Sequence, residues 1–154
     1  MEFFILSFII LSIAYMAWRR WSGAPTPPAI KVSEEDLLIK EESFNRINKW
    51  IISEKKYLNP DIKLDTVAKG VHLSEKQVSS SINTIACQNF NSYINKLRIK
   101  EAQALLLDQA YGHFTIDAVA EMVGFSNKVS FYKAFKKVTG KSPTDYRRSP
   151  NQYH

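Results

Sequence analysis

The stretch TIDAVAEMVGFSNKVSFYKAFKKVTGKSPTDYRR, Thr115–Arg148, decides the fold, because its first part is written a second time upstream. VAEMVGFS (Val119–Ser126) is followed by apolar Phe131 and Phe135; VAKGVHLS (Val67–Ser74) is followed by apolar Val78 and Ile82. Each copy has a small Ala (Ala68, Ala120), a turn position four residues on (His72, Gly124), an apolar residue, and then a Ser suited to cap a helix. The two alanines lie 52 residues apart. A small residue lets two helices cross closely, and the turn swings the second helix over the first at a steep angle.

One such pair is common among helical proteins. Two copies in one chain point to paired helix-turn-helix units, in which the second helix enters the major groove of DNA. The punctuation around them is dense. Asn59-Pro60-Asp61 is a turn, Asp65 is expected to cap a short helix Thr66–Lys69, and Ser74 to cap another from Glu75 to about Cys87. Asn91–Asp108 reads as a longer helix with Ile94, Ala102 and Leu105 on one face, and Ala110–Phe114 as a loop. Thr115–Met122 and Asn127–Val138 follow as helices, the latter stopped by Gly140, and Pro143 opens a last turn through Arg148. No segment alternates with period two for long enough to make a strand. The expected fold is all-α, with two helix-turn-helix units joined by a long linker helix. Eighteen helical residues reach about 27 Å, against about 34 Å between successive major-groove faces. A connector of that length holds two helices against neighbouring grooves.

Charge locates the anionic partner. The chain of 154 residues carries 21 Lys+Arg against 15 Asp+Glu, a net +6, which suits nucleic acid or lipid headgroups. Ser126–Arg148 holds seven Lys+Arg (Lys128, Lys133, Lys136, Lys137, Lys141, Arg147, Arg148) against Asp145, itself a net +6. With Phe131 and Phe135 turned inward, Lys128, Val129, Ser130, Tyr132 and Lys133 are expected to face DNA. Lysines can donate to guanine edges, and hydroxyls can bond bases or phosphates. Lys136, Lys137 and Arg147 are expected on phosphates, where they add affinity without sequence choice. Arg98 falls on the inner face of the long helix, where a charge must be paired. It is expected to bridge the two units, with Glu121 and Asp117 as candidate partners. His72, standing where the second copy has Gly124, is expected to take a positive φ.

The N-terminal part is of another character. Phe3–Trp18 (FFILSFIILSIAYMAW) is 16 residues without a charge, followed by Arg19-Arg20 with Trp18 and Trp21 beside them. Its helical length of about 24 Å, extended by the flanking residues, comes within reach of the hydrocarbon core. Arginines after the run rather than before it predict a single-pass inner-membrane anchor with the N-terminus outside and the rest cytoplasmic. The expected organisation is a transmembrane anchor over 1–21, a Pro-rich linker over 22–32 and an amphipathic connecting helix over 33–56. The double helix-turn-helix domain follows over 57–149 and a tail over 150–154. Ser33 is expected to cap the connecting helix, whose Leu37, Phe44, Ile47 and Ile51 recur at helical spacing. That stripe packs on the domain behind it or, over barely two heptads, forms a coiled-coil seam.

Tyr57–Ser149, about 60% of the chain, closely resembles the DNA-binding domain of the AraC/XylS transcription regulators. Thr115–Arg148 carries the most specific likeness, with Val-Gly-Phe, an aromatic before Phe-Lys-Lys, then Gly, Ser-Pro and Tyr-Arg. YLNPDIKL and NFNSYINKLRIKEAQALLL look like a membrane-linked branch of that family. The resemblance implies double-stranded DNA as partner and contact with RNA polymerase. By family position it places Lys128, Val129, Ser130, Tyr132 and Lys133 of the second unit at the groove. In the first unit it places Lys76, Ser79 and Ser80 there. That first set has no Arg, and short hydroxyls discriminate bases less than bidentate groups do.

Catalysis has no footing. Gly140-Lys141-Ser142 ends like a phosphate-binding loop, but the earlier glycine it needs would fall at Phe135. His72, His113 and His154 have no metal-ligand spacing with one another or with the lone Cys87, so no metal and no cofactor are expected. The expected protein is a membrane-tethered, sequence-specific transcription regulator, taking its input from a membrane-protein partner or through oligomerisation. A membrane-tethered interaction module, or the remnant of a larger membrane sensor, with weak non-specific DNA binding is the competing expectation.

Overall fold

The structure, a computed structural model, describes residues 13–18 and 33–148. Residues 13–18 are helical, with Ile13, Tyr15, Met16 and Trp18 exposed. The rest of the expected anchor, the Pro-rich linker and the tail lie outside the described residues. Among the described residues no helix is long and apolar enough to cross a membrane.

From Glu34 onward the chain forms one compact unit of α-helices. They are α1 (Glu34–Ser53), α2 (Leu64–Gly70), α3 (Glu75–Ile85), α4 (Phe90–Leu107), α5 (Ile116–Met122), α6 (Lys128–Thr139) and α7 (Pro143–Arg148). Short 3₁₀ turns at Lys56–Leu58 and Gln109–Tyr111 join them. The described residues contain no strand, in keeping with the all-α reading.

Short polar side chains set the helix starts. Ser74 and Gln77 form a reciprocal capping box at α3: Ser74 Oγ accepts from the Gln77 amide at 3.2 Å, and Gln77 Oε1 accepts from the Ser74 amide at 2.9 Å. Asn89, Thr115 and Asn127 cap α4, α5 and α6 by accepting from the amides of Ser92, Ala118 and Ser130. Asp65, expected as a cap, instead lies inside the first turn of α2, where the Thr66 amide holds its carboxylate below the usual range.

Two apolar clusters fill the unit. The first joins Ile47 and Ile51 of α1 to Val67, Ala68, Val71, Val78, Ile82, Tyr93 and Ile94. The second joins Ile99, Ala102 and Leu106 of α4 to Val119, Ala120, Val123, Phe125, Phe131 and Phe135. α1 is therefore more than a connector, because Ile47 and Ile51 are wholly buried among the residues of the first helix pair. Its indole Trp50 lies so close to Gly70 that an added Cβ would come within 2.3 Å of the ring. Leu106 rather than Leu105 completes the buried stripe of α4, since the 3.6-residue repeat carries the inner face round the helix. α4 contributes to both clusters, and Leu58 packs against both.

Candidate nucleic-acid interface

α6 is held by its aromatic side. Phe131 and Phe135 are fully buried, 5.6 Å apart at their ring centres, and Phe125 meets Phe131 edge-on at 5.3 Å. Helical geometry then turns Val129, Lys133, Lys136 and Lys137 outward, and Val129 is 59% exposed despite being apolar. Exposed Ser130 lies at the edge of this face that looks toward α4. The described face thus brings together five of the residues that the sequence assigned to DNA.

Three others are placed differently. Lys128 donates to Asp117 Oδ2 at 2.6 Å, and this carboxylate raises the pKa of the ammonium. Tyr132 is half-buried against the second cluster, its ring edge-on to Phe131 at 5.9 Å. Arg147, expected on a phosphate, turns inward: it donates to the Phe114 carbonyl at 2.8 Å, and its Nε and second terminal nitrogen are buried. α7 closes over α6 through Tyr146, which meets Phe135 edge-on, so the root of Arg147 points into the second unit.

The first unit is more enclosed. Lys76 is exposed, whereas Ser79 and Ser80 are half-buried, and the capping box occupies Gln77. Lys76 and Ser80 share a cleft of about 210 Å³ with Asp36, Ile39 and Lys40 of α1. The acidic first turns of α1 therefore stand beside the second helix of this unit. His72 has the expected positive φ of 53°, matching Gly124 at 87°.

Arg98 is 8% exposed and joins the halves by an unexpected route. Its Nε donates to the Tyr57 carbonyl and a terminal nitrogen to the Asn59 carbonyl, each at 2.7 Å, and its guanidinium lies 5.5 Å from the centre of the Phe125 ring. Burial draws its pKa down. The candidate carboxylates play no part: Asp117 is engaged by Lys128, and Glu121 is exposed. Carbonyls serve because the 3₁₀ turn Lys56–Leu58 and the turn after it present backbone oxygens outside any α-helix, and the Asn59 carbonyl also accepts from the Ile62 amide at 3.2 Å. One turn along α4, Glu101 binds Lys55 at 2.6 Å and accepts from the Tyr57 hydroxyl at 3.1 Å, fastening the same segment.

Between the two units lies a cleft of about 800 Å³. Ser130, Lys133 and Lys137 of α6 line one side, and Ser92, Asn95 and Lys96 of α4 the other, with Cys87 at its edge. The sequence reading missed these α4 residues. Their positions away from the Ile94–Arg98–Ala102 stripe marked them as outward-facing, but gave no direction.

The helix-turn-helix domain family matches residues 67–149 of this chain. Among curated proteins, the chain is similar to an uncharacterized HTH-type transcriptional regulator in the cgkA 5' region of Pseudoalteromonas carrageenovora. The two are 29% identical over 134 residues, 81% of this chain and 77% of that protein. The Msm operon regulatory protein of Streptococcus mutans is 27% identical over 124 residues; the match takes in 78% of this chain but only 44% of that protein. Among solved structures, the C-terminal domain of AraT, a response regulator from Geobacillus stearothermophilus, is 28% identical with a TM-score of 0.57. That match covers 80% of this chain and 93% of the domain. An AraC-type DNA-binding-domain protein from Chromobacterium violaceum shares the fold with a TM-score of 0.61 at 18% identity, over 73% of this chain and 98% of its own.

Proposed function

Because this chain belongs to the AraC-type helix-turn-helix family of transcription regulators, we propose that it reads two adjacent major-groove segments of DNA while tethered to the cytoplasmic face of the inner membrane. AraC-type domains bind double-stranded DNA, and the family consists of regulators rather than enzymes. The observation that carries the reading is the outer face of α6. Phe131 and Phe135 lock the helix by one side, and the opposite side offers Val129, Lys133, Lys136 and Lys137 to solvent. Val129 suits a thymine methyl, Lys133 and Ser130 suit base edges, and Lys136 and Lys137 suit phosphates. Lys76, Ser79 and Ser80 of α3 meet the second segment with weaker chemistry. Lys128 and Tyr132 border the α6 face and reach DNA only at its margin.

The tether rests on the charge-free run Phe3–Trp18 and the arginines behind it. Contact with RNA polymerase belongs to the same reading, and a membrane-protein partner would supply the signal. In vitro selection of duplexes bound by the full chain tests DNA reading. Recovery of a two-part, non-palindromic site is expected, and equal, weak binding to every sequence sinks the proposal. Fractionation of cells expressing the chain tests the tether, since a protein in the soluble fraction has none.

A further inference from the structure

We propose that the outer side of α1 is a self-association surface, on which α1 of a second copy of this chain lies antiparallel about a two-fold axis through Asn45. The stripe that the sequence offers as a seam is spent internally, because Ile47 and Ile51 are wholly buried in the first cluster. A second stripe runs along the opposite side. Leu38, Glu42, Asn45, Lys49 and Ile52 follow one another at steps of four and three residues, all exposed, with exposed Glu41 beside them. That stepping is the repeat by which one helix packs along another. The stripe is apolar at its two ends, Leu38 being 65% exposed and Ile52 44%. Neither residue belongs to either apolar cluster of the unit.

Charge selects the occupant and its direction. Residues 34–42 carry five acids against Lys40, a net −4, whereas residues 43–53 carry Arg46 and Lys49 and no acid. The helix macrodipole favours acids in the first turn, but its effect fades before Glu41 and Glu42. Glu41, Glu42 and Lys49 stand outside the ion pairs formed among the described residues. Leu38 and Ile52 lie seven residues to either side of Asn45, and Glu41 and Lys49 lie four. An antiparallel pair centred on Asn45 therefore sets Leu38 against Ile52 twice, and Glu41, with Glu42 next to it, against Lys49 twice. Asn45 meets its own copy on the axis, where each amide both donates and accepts, and one polar position within a seam fixes its register. A parallel pair would set acid on acid and lysine on lysine. The seam is short, so association is weak and follows the local concentration of chains.

The test is crosslinking of the full chain in cells expressing two differently tagged copies. Cys87→Ser removes the lone cysteine, so each further substitution supplies the one thiol of its chain. With a short bis-maleimide, Asn45→Cys should link to itself, and Leu38→Cys should link to Ile52→Cys. Leu38→Cys should not link to itself, because fourteen residues of helix part the two copies of that position by about 21 Å. Lys49→Glu should lower the yield of the Asn45→Cys link by about tenfold, since the axis counts each reversed pair twice. Adding Glu41→Lys and Glu42→Lys should restore it. These side chains are exposed, so the melting profile should not move. A Leu38→Cys self-link, or a yield indifferent to Lys49→Glu, overturns the proposal. So does the absence of every link, whether Leu38→Cys stays open to a water-soluble maleimide or is shielded by lipid or another protein.

Discussion

Arg98 Nε lies 2.7 Å from the carbonyl oxygen of Tyr57, and this bond ties the linker helix to the turn that leads into the first helix pair. The same turn carries Leu58, which packs against both apolar clusters, while the guanidinium lies near the Phe125 ring of the second unit. A single buried cation on α4 thus ties the two helix-turn-helix units to the turn between them.

Arg98→Ala should lower stability by about 3 kcal/mol, since two charge-assisted bonds to half-enclosed carbonyls are lost. Arg98→Lys should fall between the two, because a lysine replaces one bond and not the fork. Urea unfolding measures the loss. An Arg98→Ala chain with the wild-type midpoint would contradict the assigned role.

The two turn positions should respond in opposite directions. A Cβ at Gly124 would meet the Leu58 carbonyl oxygen at 2.3 Å and Arg98 Nε at 3.1 Å, at a φ of 87°. Gly124→Ala should therefore cost about 3 kcal/mol from strain and overpacking together. His72 already bears a side chain at φ 53° on an exposed surface. His72→Gly should stabilise by about 0.5–1 kcal/mol, the relief of left-handed strain less the added freedom of the unfolded glycine. Thermal melts of the two variants check the signs.

Asp117 restrains a cation at the margin of the α6 face. Asp117→Asn should release Lys128, strengthen DNA binding and steepen the salt dependence by up to about 0.9 in slope. The effect on melting should be small, because the pair is solvent-exposed. A gel-shift series with unchanged affinity would show that Lys128 does not reach DNA.

Alkaline pH should loosen the junction. Burial raises the pKa of the Tyr57 phenol, helped by its bond to Glu101, and burial raises that of Tyr93. A raised folded pKa contributes stability that is complete below the unfolded value near 10 and is lost as pH climbs through the folded value. Melting temperature should fall as pH rises above about 10, and the fall should be shallower in a Tyr57→Phe/Tyr93→Phe chain. The raised pKa values of Lys55 and Lys128, caused by Glu101 and Asp117, add to the fall in the same direction, so the difference between the two chains isolates the phenols.

The repeated Ala-turn-Ser pattern was legible because it is local. Ser74 and Asn127 act within three residues of themselves, and Phe131 and Phe135 declare a buried side by their spacing alone. Arg147 shows where such reasoning stops. A basic residue at the end of a basic helix looks like a phosphate ligand until α7 packs over Phe135 and carries the guanidinium to the Phe114 carbonyl.

By itself the sequence determined the all-helical order, most of the capping residues, the two-unit grammar and the exposed face of α6, all properties of residues within a turn or two of each other. Only the tertiary structure decided that Arg98 is held by carbonyls 41 and 39 residues away, that α1 flanks α3, and that Lys96 looks across a cleft to Lys133 and Lys137. Those relations depend on how helices cross in space. Periodicity tells which side of a helix faces out, but only packing tells what it faces.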